Sequence, residues 1–257
     1  MKSTTGTPAY TTDGTYFYNR HDDQFEQVMA YFWGTQAQKY LQSLGFGRDL
    51  PPVNAESQDY RVDQYGGDNS FERDSPDIIT LGKGGVDDAE DGEVIVHETG
   101  HAVHAAQVPG FGSSEEAGSI GEAFGDYFAV TVGDWVAKQY GVPEREDLAC
   151  VADWDSTSYT SGPTHCLRRL DMNKHYPQDV VGEVHADGEI WSQALFQIRT
   201  ALGPAVADRI IIDAQFGFAP DTSFAAAARQ TVATARSLYG PSQAAVAQKA
   251  FADRGIL

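Results

Sequence analysis

The chain has 257 residues, of which 41% are hydrophobic and 11% aromatic. This length and composition suit one large domain or two small ones, and they exclude a disordered or collagen-like chain. Lysine and arginine number 18 against 37 acidic residues, which gives a net charge of −19. Such an acidic chain repels phosphate groups, so we expect no nucleic-acid or membrane partner. No apolar run approaches the ~20 residues of a membrane-spanning helix.

The periodic spacing of apolar residues, together with the glycines and prolines that end each segment, predicts the helices and strands. Residues 1–15 form a lead-in without the apolar core of a signal peptide. The predicted elements that follow are a helix within 17–44 (with a break at Gly34 left open), short strands and loops over 49–76 (with 69–71 as an edge strand), a strand at 78–81, and helices at 89–107, 119–140, 189–202, 206–213, 223–239 and 241–253. Strands are confined to the first hundred residues, which favours an α+β fold.

The motif His97-Glu98-Thr99-Gly100-His101 lies in the predicted helix 89–107. Residues four apart share one helix face, so both imidazoles can reach one metal ion. Glu98 can then reach a water at that metal without being a ligand. The alternative is an ordinary amphipathic helix, but burying two histidines and a carboxylate is costly unless they are paired. The motif therefore predicts a zinc site.

A catalytic zinc has three protein ligands and one open position. Another common zinc motif has its third histidine ten residues after the first. That position is Gln107 here, so the chain does not have that motif. Glu122 and Asp126 share a face of the next predicted helix. We expect Glu122 to bind zinc and Asp126 to accept the ring N–H of a zinc histidine. The alternative is that Ser119 and Glu122 form a capping box at the start of that helix.

An acidic cluster precedes the predicted zinc helix. It consists of Asp87, Asp88, Glu90 and Asp91. Acidic residues at a helix start are favourable because of the helix dipole, and this is the simpler interpretation. A structural calcium site is the alternative interpretation.

The two cysteines, Cys150 and Cys166, enclose a segment rich in serine, threonine and aspartate. The segment is typical of a surface loop that a disulfide could close, with a stabilisation of ~3 kcal/mol. A disulfide would indicate an oxidising compartment. The alternative is two reduced thiols, and zinc ligation by these cysteines is disfavoured because no C-x-x-C spacing is present.

H-E-x-x-H followed by G-E-x-x-x-D at 121–126 resembles the gluzincins, metallopeptidases of the thermolysin and fungalysin type. The segment 69–71 is similar to the family's substrate-holding edge strand, and 250–255 to its C-terminal helix. The segment 184–191 resembles the fungalysin-type V-H-x-x-G-E-x-W, which places the chain nearer the fungalysin-like bacterial members. Gly121 and Gly125 depart from the asparagine and serine of the related motifs, and no tyrosine lies near position 112.

The resemblance implies a two-lobed α+β fold with a zinc cleft between the lobes. An N-terminal lobe, 1–112, would carry the zinc helix, and a mainly helical lobe, 113–257, would carry the third ligand. Zinc would be bound by His97, His101 and Glu122, and it would lower the pKa of its water toward neutrality. Glu98 would take the proton from the attacking water and pass it to the leaving amine.

The resemblance also assigns residues around this centre. Protonated His185 would stabilise the oxyanion, and an upstream carboxylate would orient it, with Asp179 preferred and Glu183 as the other candidate. Arg168 or Arg169 would bind a substrate carbonyl, and Asn69 the substrate backbone. Apolar residues would be favoured after the scissile bond.

The expected function is that of a secreted zinc endopeptidase acting on proteins or peptides, with an N-terminal inhibitory propeptide that this chain lacks. One alternative is an exopeptidase or a narrow-specificity processing peptidase, which a charged pocket for a free terminus would indicate. A further alternative is a zinc-bearing binding module without catalysis. Its usual mark would be the loss of Glu98 or of a zinc ligand, and these residues are intact.

Overall fold

The computed structural model describes residues 6–143 and 147–257. The first five residues of the predicted lead-in lie outside this part of the chain. The described strands are β1 (Tyr60–Tyr65), β2 (Phe71–Asp74), β3 (Asp77–Gly82), β4 (Cys150–Val151) and β5 (Arg168–Arg169). The described α-helices are α1 (Asp23–Ser43), α2 (Gly92–Gln107), α3 (Glu115–Tyr140), α4 (Val184–Leu202), α5 (Pro204–Gln215), α6 (Phe224–Tyr239) and α7 (Pro241–Asp253). These elements make an α+β fold.

The larger sheet has the order β1-β3-β2, with β3 parallel to β1 and antiparallel to β2. The strand predicted at 78–81 is therefore the centre of this sheet, and β2 is an edge strand. The edge strand predicted at 69–71 overlaps β2 only at Phe71. Ser70 precedes it, and its hydroxyl accepts a hydrogen bond from the backbone N–H of Gly82 at 3.2 Å instead of extending the ladder.

Helix α1 runs without a break through Gly34. The glycine is needed for packing, because a Cβ at this position would lie 2.4 Å from the hydroxyl oxygen of Tyr60 on β1. Helix α3 begins earlier than predicted, with Ser114 as its N-cap accepting from the N–H of Ala117 at 3.2 Å. Because Ser119 lies inside this helix, the capping-box alternative for Glu122 is wrong.

Helix α2 packs against other elements on two of its faces. The H-E-x-x-H motif therefore lies between the sheet and the helical part of the molecule. Val96 and Val103 belong to the large core formed mainly with α3 and α4. Ile95 and Ala102 belong to a smaller core with residues of β1 and β3. The division into lobes at residue 112 remains a prediction.

The disulfide between Cys150 and Cys166 is present, as the loop composition indicated. Strands β4 and β5 flank the bridge and pair antiparallel, so both ends of the loop are held together. Among the described helices, none has the length and apolar character to cross a bilayer.

Candidate metal centre

Three side chains from α2 and α3 converge on one point. The Nε2 atoms of His97 and His101 lie 3.1 Å apart. The carboxylate of Glu122 lies 3.2 Å from Nε2 of His97 and 3.6 Å from Nε2 of His101. A tetrahedral zinc with bonds of about 2.0–2.1 Å separates its ligand atoms by about 3.3 Å. Two imidazole nitrogens and a carboxylate oxygen at these spacings therefore fit a zinc ion.

Asp126 lies one helical turn after Glu122 and holds the ring of His97. Its Oδ1 accepts from Nδ1 of His97 at 2.9 Å, which leaves Nε2 of that ring to face the other donors. Burial acts to raise the pKa of Asp126, but Arg168 and His97 outweigh it and bring this pKa to about 2. Asp126 therefore stays ionised and can fix the ring tautomer that metal binding requires.

The two candidate arginines lie in different places. Arg168 lines the cleft and binds Asp126 through Nε at 2.6 Å and Nη2 at 2.7 Å. Arg169 points away and pairs with Asp147 and Asp171. Side chains alternate across the two faces of a strand, so these neighbours on β5 cannot share one face. Arg169 therefore does not line the cleft, contrary to its prediction as a substrate-binding residue, and of the two arginines Arg168 remains the candidate.

Glu98 is buried beside this centre. Its Oε2 has no hydrogen-bond partner among the described residues, and its side chain lines the same cavity as His97 and His101. Burial raises the pKa of Glu98 to about 7. A carboxylate with a pKa near neutrality is suited to take up and release a proton.

His185 reaches the centre from the first turn of α4. Its Nε2 lies 3.2 Å from the carboxylate of Glu122, and its Nδ1 lies 2.6 Å from Oε1 of Glu183. Glu183 is the N-cap of α4, so its carboxylate turns back over the first turn and meets this ring. Asp179 instead accepts from the backbone N–H of His175 at 2.7 Å. The prediction that Asp179 orients His185 is therefore wrong, and Glu183 takes this position.

A cavity of about 410 Å³ contains the centre and extends along its edge strand. Asn69 lines it just before β2, and its binding of the substrate backbone remains a prediction. Glu72, Asp155 and Tyr159 also line it and were missed as site residues. Asp155 and Tyr159 lie within the disulfide-closed loop. Local sequence gave no signal for their position, because only the folding of that loop back onto α2 brings them to the cleft.

The acidic cluster before α2 is divided between different roles. Asp91 is the N-cap of α2 and accepts from the N–H of Glu93 at 2.8 Å, as the helix-start interpretation predicts. Asp87 lies with Glu26 and Asp63, and one carboxylate oxygen of each lies within 4.8 Å of the others. Asp88 faces the cleft.

A family model described as thermolysin metallopeptidase, alpha-helical domain, matches residues 110–256, which is more than half of the chain. No curated protein sequence matches the chain. Among solved structures, the precursor of protealysin, a metalloproteinase from Serratia proteamaculans, is similar at 20% identity, with a TM-score of 0.71 over 96% of this chain and 82% of that one. At this identity, the likeness shows a shared fold.

Proposed function

Because this chain belongs to the thermolysin metallopeptidase family, we propose that it is a zinc-dependent endopeptidase acting on proteins or peptides. The observation that carries the proposal is the convergence of His97, His101 and Glu122 in one cleft with buried Glu98 beside them. A zinc-bearing module without catalysis would not need a buried carboxylate beside the ligands whose Oε2 has no hydrogen-bond partner among the described residues. From the sequence alone, we also propose that the chain is nearer the fungalysin-like members and that its two lobes divide at residue 112.

His97, His101 and Glu122 would hold the zinc ion. Bound there, zinc supplies Lewis-acid chemistry, which acidifies water and polarises a peptide carbonyl. Glu98 takes the proton of the attacking water on its carboxylate and delivers it to the nitrogen of the leaving amine. Asp126 keeps Nε2 of His97 directed at the centre.

Two further side chains act on the substrate in this proposal. His185 lies beside Glu122 at the open side of the centre, and its Nε2–H would donate a hydrogen bond to the developing oxyanion. Arg168 and Asn69 line the cavity where donors to the substrate backbone are needed. An exopeptidase that holds a free carboxylate terminus would need a further cation in the cleft, because Asp126 already neutralises the charge of Arg168.

Calcium is the second ion in this proposal, at the site formed by Glu26, Asp63 and Asp87. The three carboxylates come from α1, β1 and the turn before α2, so an ion there would join these elements. Glu26 is only 6% exposed, and its Oε2 has no hydrogen-bond partner within the described residues. Oxygen donors from carboxylates are the ligands that calcium prefers.

Secretion and a propeptide complete the proposed function. The disulfide between Cys150 and Cys166 supports an oxidising compartment. The similar solved structure is that of a precursor, which supports an inhibitory propeptide as a partner of this chain.

The test compares wild type with Glu98→Gln, both loaded with zinc, on casein and on an N- and C-terminally blocked peptide. Glu98→Gln should retain one zinc per chain and lose more than about 10³-fold of its turnover. Glu56→Gln, the same change at an exposed glutamate, is the control and should match wild type. Equal turnover in Glu98→Gln and wild type would contradict the proposal, as would a wild type that binds zinc and cleaves neither substrate.

A further inference from the structure

Two buried aspartates line the cavity of the metal centre without belonging to it. Asp88 lies in the short 3-10 helix Asp88–Glu90 before α2, and Asp155 begins another, Asp155–Ser158, inside the disulfide-closed loop. Each is only 3% exposed. One carboxylate oxygen of each, and one of Asp68, lie within 4.8 Å of one another. The pair therefore forms a localised acidic patch in the wall of the cavity that holds His97 and Glu98.

The backbone fixes this pair in place. The N–H of Asp155 donates to Oδ2 of Asp91 at 3.0 Å, and the N–H of Ala152 donates to Oε2 of Glu93 at 2.7 Å. These two bonds fasten the loop to the first turn of α2. On the other side, the hydroxyl of Ser70 donates to Asp88. These hydrogen bonds set the position of the two aspartates and bring no cation to them.

No cation of the described chain neutralises the pair. Within the described residues, no lysine, arginine or histidine nitrogen lies within 4.0 Å of either carboxylate, and Oδ1 of Asp155 is buried without a hydrogen-bond partner. The nearby arginine, Arg168, is bound to Asp126. Burial raises the pKa of Asp88 to about 8 and that of Asp155 to about 6. At neutral pH, Asp88 therefore holds a proton while Asp155 is largely ionised. A positively charged ligand would replace that proton and stabilise both carboxylates, since buried carboxylates without a cation are costly.

We propose that Asp88 and Asp155 form a subsite that binds the lysine or arginine side chain of a peptide substrate next to the bond that is cleaved. The inference rests on the proposed peptidase function. The cavity also offers Val94, Val151 and Leu167 as an apolar wall. Lysine and arginine carry a charged end on an apolar stem, which matches acidic residues beside such a wall. This selectivity differs from the apolar preference that the family resemblance implied.

The test uses the zinc-loaded enzyme and acetylated, amidated, quenched fluorescent peptides of one sequence. Lysine or norleucine is placed in turn at each of the positions flanking the cleaved bond. Norleucine keeps the apolar stem and lacks the ammonium group, so the ratio of the two kcat/KM values isolates the charge. We expect a lysine-to-norleucine ratio above about tenfold at one position, falling toward 1 in Asp155→Asn and in Asp88→Asn.

Asp221→Asn is the matched control, since it removes one negative charge from an exposed aspartate outside the cavity. It should keep the wild-type ratio. A wild-type ratio of 1 or less at every position would overturn the subsite, and so would a ratio that both cavity variants leave unchanged. Because Asp88→Asn and Asp155→Asn are tested separately, the test still decides if one of the two variants does not fold.

Further measurements distinguish a substrate side chain from two other ligands of this acidic pair, a calcium ion and the α-amino group of a peptide. Calcium that binds wild type but not Asp155→Asn in equilibrium dialysis, with a lysine-to-norleucine ratio near 1, would overturn the proposal in favour of a metal site. A preference for peptides with a free amino terminus over their acetylated forms, again with a ratio near 1, would assign the pair to the α-amino group.

The subsite can also be tested if no peptide is cleaved. Anisotropy of the labelled peptides with Glu98→Gln reports binding without turnover. Tighter binding of the lysine peptide, abolished by adding Asp155→Asn, would support the subsite although the proposed catalysis had failed. Equal binding of the lysine and norleucine peptides would overturn it.

Discussion

Gly125 of α3 lies directly against the imidazole of His97 on α2. A Cβ at this position would lie 2.7 Å from both Nδ1 and Cε1 of the ring. The two helices approach closely here, since a Cβ at Gly100 would lie 3.1 Å from the Cα of Gly125. The glycine that departs from the serine of the related motif therefore has a steric reason. In this chain the histidine ring occupies the space that a side chain would need.

Replacing this glycine should disturb the metal centre. Gly125→Ala is expected to displace His97 and weaken zinc binding by about 10- to 100-fold, the range for residues that orient a metal ligand. Gly133→Ala, on the same helix, is the matched control, because its Cβ would lie at an ordinary 3.6 Å from Glu93. Zinc affinity measured by competition with a chelator checks both variants. Equal affinities in Gly125→Ala and Gly133→Ala would contradict the steric argument.

The carboxylate beside His185 should matter for turnover. Glu183→Gln keeps an oxygen that can cap α4 but removes the negative charge that faces Nδ1 of His185. We expect kcat to fall by about tenfold or more with little change in KM, because the effect is on the transition state. Asp179→Asn, which alters the carboxylate bound to His175, should retain wild-type kcat. The larger loss in Asp179→Asn would restore the original prediction.

Asp126 joins the metal centre to Arg168, and its removal should affect both. Asp126→Ala leaves the buried guanidinium unpaired, so the free energy of unfolding should fall by about 3–5 kcal/mol. Zinc affinity should fall as well, because His97 loses its partner. The double variant Asp126→Ala/Arg168→Met should regain much of the stability and none of the zinc affinity. Chemical denaturation and chelator competition measure the two effects, and recovery of both together would argue against separate roles.

The proposed calcium site predicts a pH dependence. Burial raises the pKa of Glu26 to about 7 and that of Asp87 to about 6. Without calcium, the folded chain therefore holds protons that the unfolded chain releases above about pH 4. This contribution to stability is present at low pH and is lost as pH rises through these raised values.

Calcium would replace those protons, so its effect on Tm should be larger at pH 7.5 than at pH 5. Thermal unfolding with and without saturating calcium measures this difference. Glu26→Gln should abolish the calcium shift, and Glu56→Gln, at an exposed position, should keep it. A calcium shift of equal size in Glu26→Gln and wild type would place the ion elsewhere.

The local features of this protein follow from its sequence. Helical periodicity puts His97 and His101 on one face whatever surrounds them, and the same rule puts Glu122 and Asp126 together. Apolar spacing ended by glycine or proline predicts the helices, and α7 has the predicted bounds, but α3 and α4 begin four or five residues earlier than predicted. The caps explain those errors, because Ser114 and Glu183 begin α3 and α4 earlier than the apolar pattern does.

The tertiary structure decides the contacts between segments that are distant in the sequence. The choice of Arg168 over Arg169 depends on which face of β5 turns to the cleft. The arrival of Asp155 beside Asp88 depends on two hydrogen bonds that fasten the disulfide loop to α2. Local periodicity fixes the direction of a side chain within its own element. It carries no information on the angle and distance at which two elements pack, and those set the cleft.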